Sequence, residues 1–337
     1  MPRTRALALP LAAVLAGSLL AACGSDDADA GDEAGRPTVA VTTTVLGDVV
    51  SELVGDLAEV VTIMPPGASP HDFQASAQQA AELAGADVIV VNGGGFEEGL
   101  LSVVEGAESD GVPVLSALEL LGGEDDHADE DDHADEEDHA DEEDHADEEE
   151  HADEDEHAHD DDAHFFTDPL AVVEVVEALA VSLPEQVADL DAGQLRQQAD
   201  ALVGDLEALH EELVATLAGV PAERRVLVTD HEVFGSFAAR YDFEILATVI
   251  PAGSTSDGVS GGALAQLAEV LRTAGVTAVF TEQTASADLA DTLASEVGDV
   301  EVVALNAETL GPDGSEADTY AGMMRLNAQR IADALGG

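Results

Sequence analysis

From residue 38 onward, short runs of β-branched and aliphatic residues alternate with segments whose apolar positions recur every three or four residues. The runs at 38–43, 60–64, 87–91 and 112–115 predict strands, and the segments at 46–54, 76–83 and 96–105 predict helices. A strand–helix rhythm of this kind builds a mostly parallel sheet with helices on both faces. It stops after residue 115 and returns at Asp168-Pro169, where an N-cap acid precedes proline at the first helical position. That helix is expected to run to about residue 181. Pro184 then opens a longer stripe that carries Leu190, Leu195, Leu202, Leu206, Leu209, Leu213 and Leu217 as far as Gly219. At 1.5 Å per residue the rod is about 50 Å long, enough to cross more than one domain. The rhythm then resumes, with strands at 225–229, 244–247, 277–281 and 301–305 and helices at 232–239, 262–273, 286–297 and 317–335. The predicted fold class is α/β: two lobes with mostly parallel sheets joined by one long rigid helix. The expected boundaries are 38–183 for the N-terminal lobe, 184–219 for the interlobe helix and 220–337 for the C-terminal lobe.

One stretch has no pattern that serves a core. Residues 124–162 hold 26 acids, no basic residue, and a histidine every six positions: His127, His133, His139, His145, His151 and His157, with His159 added. Charges of one sign at this density repel, so a disordered loop inserted in the first lobe is expected. On a helix, a six-residue period would spread the histidines around the circumference. Imidazole and carboxylate are ligands for zinc and similar ions, and a mere spacer would not need histidine in every repeat. The tract therefore reads as an accessory, low-affinity metal collector.

Composition narrows the partners. The net charge is −63, with ten arginines and no lysine. Such a surface excludes nucleic acid, whose phosphates need a basic footprint, and does not bind anionic lipid by charge. At the N-terminus Arg3 and Arg5 precede an apolar run from 6 to 22, which ends Leu20-Ala21-Ala22-Cys23. This reads as an export signal over 1–22 with a bacterial lipobox. Cys23 would be the lipidated first residue of a protein anchored on the extracytoplasmic face of the cell membrane, with 23–37 as a flexible tether. Cys23 is the only cysteine, so there is no intramolecular disulfide and no cysteine-built zinc site.

Any site must then use histidine and carboxylate. Four histidines lie outside the tract. His71, in MPPGASPHDF at 64–73, and His231, in TDHEVFG at 229–235, both follow predicted strands, where open α/β sheets bind ligands. His164 lies in AHFFTDP at 163–169, just before the helix that Asp168 caps. Glu308, after the strand at 301–305, is a candidate fourth ligand, and Glu282, after the strand at 277–281, competes with it. Three neutral imidazoles and one carboxylate make a closed tetrahedral zinc site. Asp230 and Glu232 are candidates to orient His231. His210 is expected to be an exposed helix residue. Gly93-Gly94-Gly95 follows a strand, but Glu98 stands where a dinucleotide fingerprint needs its third glycine, so a plain turn is expected. There is no phosphate loop and no HExxH, and nothing points to an open metal position beside a base. The chain reads as a binding protein and not an enzyme.

These motifs, with VTDHEVFGSFAARY at 228–241, VFTEQT at 279–284 and LGPDGSEADTYAGMMRLNAQRI at 310–331, carry a resemblance. From about 38 to 334, apart from the tract, the chain resembles the metal-binding solute-binding proteins of bacterial ABC importers, in their zinc (ZnuA-like) branch. The resemblance implies a metal site between the lobes, with His71, His164, His231 and Glu308 as ligands. Histidine at the third position favours Zn²⁺, since manganese binders tend to carry a carboxylate there; a His/Asp-rich loop is also a mark of the zinc branch. It further implies a monomeric receptor that delivers Zn²⁺, with Mn²⁺ as the second choice by the family pattern, to an ABC permease and its ATPase. A manganese receptor, or a surface metal buffer or adhesin without a transporter, are the alternatives. Three departures stand out: Phe165-Phe166 near the second histidine where relatives often have tryptophan, no Glu-Pro-Ser step within 253–262, and glutamate at 308 where many have aspartate.

Overall fold

A computed structural model of the chain describes residues 35–122, 162–250, 261–283, 288–298 and 300–336. The predicted signal segment, Cys23 and the seven histidines of the acidic tract lie outside the described residues. Among those described, no helix is long and apolar enough to cross a membrane.

The first lobe runs β1 (Thr38–Val41), α1 (Thr44–Val54), β2 (Glu59–Thr62), α2 (Ala77–Ala84), β3 (Val88–Val91), α3 (Leu101–Ser109), β4 (Val114–Ser116) and α4 (Ala117–Leu121). Two helices follow, α5 (Pro169–Gln186) and α6 (Ala192–Leu217). The second lobe runs β5 (Val226–Thr229), α7 (Gly235–Arg240), β6 (Glu244–Thr248), α8 (Gly261–Ala274), β7 (Ala278–Glu282), α9 (Asp288–Val297), β8 (Glu301–Leu305) and α10 (Tyr320–Gly336). The two sheets are wholly parallel and have one topology, β2-β1-β3-β4 and β6-β5-β7-β8. In each the chain steps out one strand and then crosses to the other side of the first. This crossing opens a crevice beyond the carboxyl ends of the strands.

The period-2 pattern of the strands sorts side chains to two cores. Val39, Val41, Val88 and Val90 face inward with Leu227, Ala278 and Phe280 of the second lobe. Ala40 and Ile89 face an outer core in lobe one, and Val228 and Val279 face its counterpart in lobe two. The inner core is continuous across both lobes. Its spine is α6, whose Leu195, Ala199, Leu202, Leu206, Leu209, Leu213 and Leu217 are all buried at spacings of three and four. This helix packs on α1, α5 and α10.

The long helix begins later than the sequence pattern suggests. Pro184 does not open it; it sits in the last turns of α5, which continues to Gln186. The real start is Asp191, whose Oδ1 accepts the backbone N–H groups of Gly193 and Gln194, both at 2.9 Å. Gln194 also donates to Asp191 Oδ2 at 3.0 Å. An Asp-x-x-Gln start of this kind is a capping signal that outweighs the proline. The 26 residues of α6 span about 39 Å, not 50 Å. Two smaller shifts have similar causes. β1 ends at Val41 because Thr43 turns to cap α1, accepting from Leu46 N–H. The helix expected at 96–105 is a tight turn at Glu98–Leu100 followed by α3.

Candidate metal centre

The loops that leave the strand ends converge on one carboxylate. Glu308, three residues past β8, is 4% exposed. Its Oε1 lies 2.8 Å from His71 Nε2, 2.8 Å from His231 Nε2 and 3.8 Å from His164 Nε2. One ligand atom from each of the four residues fits within a 4.8 Å span. The three rings form a near-equilateral triangle, with centroids 5.9, 6.0 and 6.4 Å apart. His71 and His164 come from lobe one, His231 and Glu308 from lobe two.

Each imidazole is aimed by a neighbour. Asp230 Oδ1 lies 3.0 Å from His231 Nδ1 and also accepts the His231 backbone N–H, which turns Nε2 toward Glu308. Its other oxygen accepts from Glu282 N–H at 2.8 Å. Glu232, the other sequence candidate for this role, is exposed and makes no such contact. Burial alone would lower the pKa of His231, but hydrogen bonds to Asp230 and Glu308 win and raise it to about 10. For His164 burial again opposes the charge, and Asp162 and Glu308 raise the pKa. Glu308 would be raised by burial; its three imidazole neighbours instead hold it far below the ordinary carboxylate range. Phe96 stands edge-on to both histidines of lobe one, with centroids 5.7 Å from His71 and 5.3 Å from His164. It follows Gly93, Gly94 and Gly95, all at positive φ, in a turn pinned by the buried Glu97 carboxylate. The glycines thus serve a turn, as expected, that carries an aromatic wedge which the sequence reading missed. The rule that ligands gather beyond strand ends would have flagged Phe96.

Asp162 departs from the sequence expectation. It is the last acid of the tract read as loop, yet it is built into the site. Oδ1 accepts the His164 backbone N–H at 2.9 Å and lies 3.4 Å from its Nδ1; Oδ2 accepts from Ser236 N–H at 3.0 Å and Oγ–H at 2.7 Å. The hydrogen bonds outweigh burial and lower its pKa to about 2. Five and six residues further on, the same short segment meets α7 again: Phe237 N–H donates to Thr167, and Arg240 pairs with the fully buried Asp168 at 2.7 Å. His210 is also not simply exposed. It is half-buried and stacked on Tyr241, with ring centroids 5.6 Å apart, and is not one of the four converging groups.

Glu282 is not among the four converging groups. It lies 3% exposed behind Glu308, accepting Ala307 N–H at 2.6 Å, and burial with the charge of Glu308 raises its pKa to about 8. A carboxyl held neutral in this way supports the Glu308 loop without adding a second negative charge. His164 Nε2, in contrast, is fully buried and has no hydrogen-bond partner. A buried ring nitrogen without a partner is costly, and this one shares a carboxylate oxygen with the Nε2 atoms of His71 and His231, an arrangement that fits a divalent cation. A cavity of about 600 Å³, lined by Asp162, His164, Glu232, Phe234, Ser236 and Ile245 among others, opens beside the cluster.

Two parallel α/β lobes with three histidines and a glutamate gathered in the crevice between them define a two-lobed binding protein. Residues 39–334 match the family ZnuA, described as zinc-uptake complex component A, periplasmic, and the chain belongs to that family of metal-binding receptors; it is not an enzyme. Among curated relatives, the zinc-binding protein TroA of Treponema pallidum is 27% identical, with 99% of each chain covered. The manganese-binding lipoprotein MntA of Halalkalibacterium halodurans is 24% identical over 94% of each. The zinc-binding lipoprotein AdcA of Streptococcus pneumoniae is 25% identical over 96% of this chain and 60% of its own. The solved structure of the Treponema pallidum protein superposes with a TM-score of 0.71 at 24% identity, covering 89% of this chain and 99% of that one, which establishes the shared fold.

Proposed function

We propose that this protein is an extracytoplasmic zinc receptor that captures Zn²⁺ between its lobes and passes it to an ABC permease and its ATPase. His71, His164, His231 and Glu308 are the ligands. The observation that carries this reading is the placement of three imidazole Nε2 atoms around one carboxylate oxygen. Three neutral nitrogens with one oxygen suit tetrahedral Zn²⁺ better than Mn²⁺, which favours oxygen-rich, higher-coordinate sites. Manganese is the second reading, favoured by the relatives named for that metal. Cys23 would carry the lipid anchor, and the tract histidines would collect zinc weakly, since ordering a flexible chain costs free energy that a formed site avoids.

The test is a zinc titration against a competing chelator, with manganese in parallel, on protein lacking 1–23 and 124–161. Asp162 is kept because of its bonds to His164 and Ser236. One tight zinc, lost in His71→Ala, His164→Ala or His231→Ala and not displaced by excess manganese, is expected. Tight manganese with weak zinc would give the second reading, and no tight metal at all would move metal binding to the tract.

A further inference from the structure

Opposite the Asp162 contact, the lobes meet through two buried hydroxyls next to the cluster. Thr309, the residue after Glu308, is 2% exposed, and Thr44, at the start of α1, is 7% exposed. Their Oγ1 atoms are 3.2 Å apart, although they stand 265 residues apart in the chain. Thr309 Oγ1 accepts the N–H of Gly67 at 3.0 Å, and its own proton reaches Thr44 Oγ1 or, at 3.4 Å, the Leu310 carbonyl. Thr44 Oγ1 accepts the N–H of Leu310 at 2.9 Å. One helical turn along, on the same face of α1, Asp48 accepts the N–H of Tyr320 at 2.7 Å.

We propose that the Thr44–Thr309 hydroxyl pair is a clasp that positions Glu308 against His71 and so sets the grip of the centre on its metal. Gly67 lies four residues before His71 in the same loop, with φ at +81°. Tying its N–H to Thr309 fixes that loop to the residue beside Glu308, across the lobe boundary. The 2.8 Å approach of His71 to Glu308 is the product of that tie. The pair carries no charge, so it holds this geometry at any pH and whether or not metal is present. It offers no ligand atom itself; its effect is on distance and angle, to which metal sites are sensitive through their outer partners.

The proposal rests on the reading of the four-residue cluster as a metal centre. The experiment loads the mature, tract-containing protein with one equivalent of Zn²⁺ and follows its release to excess chelator. Thr309→Val and Thr44→Val are expected to release zinc about five- to tenfold faster, the worth of one buried neutral hydrogen bond. Thr309→Ser, which keeps the hydroxyl, should release at the native rate. The double valine variant should fall short of the product of the two single effects, because the Thr44–Thr309 contact is common to both. Co²⁺ absorption, which reports coordination geometry, should shift in Thr309→Val and not in Thr309→Ser. Native release and an unshifted Co²⁺ spectrum in Thr309→Val, with only a lower melting temperature, would overturn the clasp and leave the metal centre standing. Failure of the native protein to take up one equivalent of zinc would overturn the metal reading and the clasp with it.

Discussion

At the residue scale the cluster is held together by protons until a cation arrives. His231 donates from Nδ1 to Asp230 and from Nε2 to Glu308, and its pKa is raised to about 10. If His231 is a ligand as proposed, metal displaces its Nε2 proton, and affinity should rise about tenfold per pH unit between 6.5 and 10 from this residue alone, and more through His164, whose pKa is also raised. Zinc titrations across that range check the slope. Stability of the metal-free protein should run the other way. A histidine with a raised folded pKa stabilises fully below its unfolded value and loses that contribution as pH climbs through the folded one. Glu282, at about 8 in the fold, acts in the same sense above 4.5. Melting temperatures of the metal-free protein should therefore fall from pH 6.5 to 10. His71 and His231 were legible because each sits beyond a strand end, and His164 because it stands just before the helix start marked by Asp168-Pro169. Asp162, Thr44 and Thr309 were not, since acids and threonines are common and only the meeting of distant loops gives these three a role.

At the element scale the sequence period marks where helices run more surely than where they start. The leucine stripe of α6 is visible from Leu195 to Leu217, but Pro184 was a misleading signal. A proline near the end of a helix removes a single bond there, whereas Asp191 satisfies two N–H groups of a new one. Asp191→Ala should cost about 1 kcal/mol. Pro184→Ala should cost nothing measurable. Denaturant unfolding of the two variants separates the roles. The strands were legible from their period-2 alternation, which also divides the inner core from the outer ones.

At the scale of the whole molecule, the inner core couples the lobes. Leu206→Ala, in the middle of α6, should destabilise by about 2–5 kcal/mol, as large-to-small changes in a core do. Calorimetry should then show one transition, shifted as a whole, with both lobes melting together. Two separate transitions would mean that the lobes fold as independent units.

That shared core also governs how occupancy is announced. Wide swinging of one lobe against the other would have to shear an interlocked, buried seam of leucines, and such seams resist gradual deformation. The message that cargo is aboard must then be written in small rearrangements of the loops around the crevice mouth, legible only to a surface pressed against them. Small-angle scattering should accordingly give the same radius of gyration with and without zinc, while amide exchange in the loops bearing His71, His164, His231 and Glu308 slows on loading.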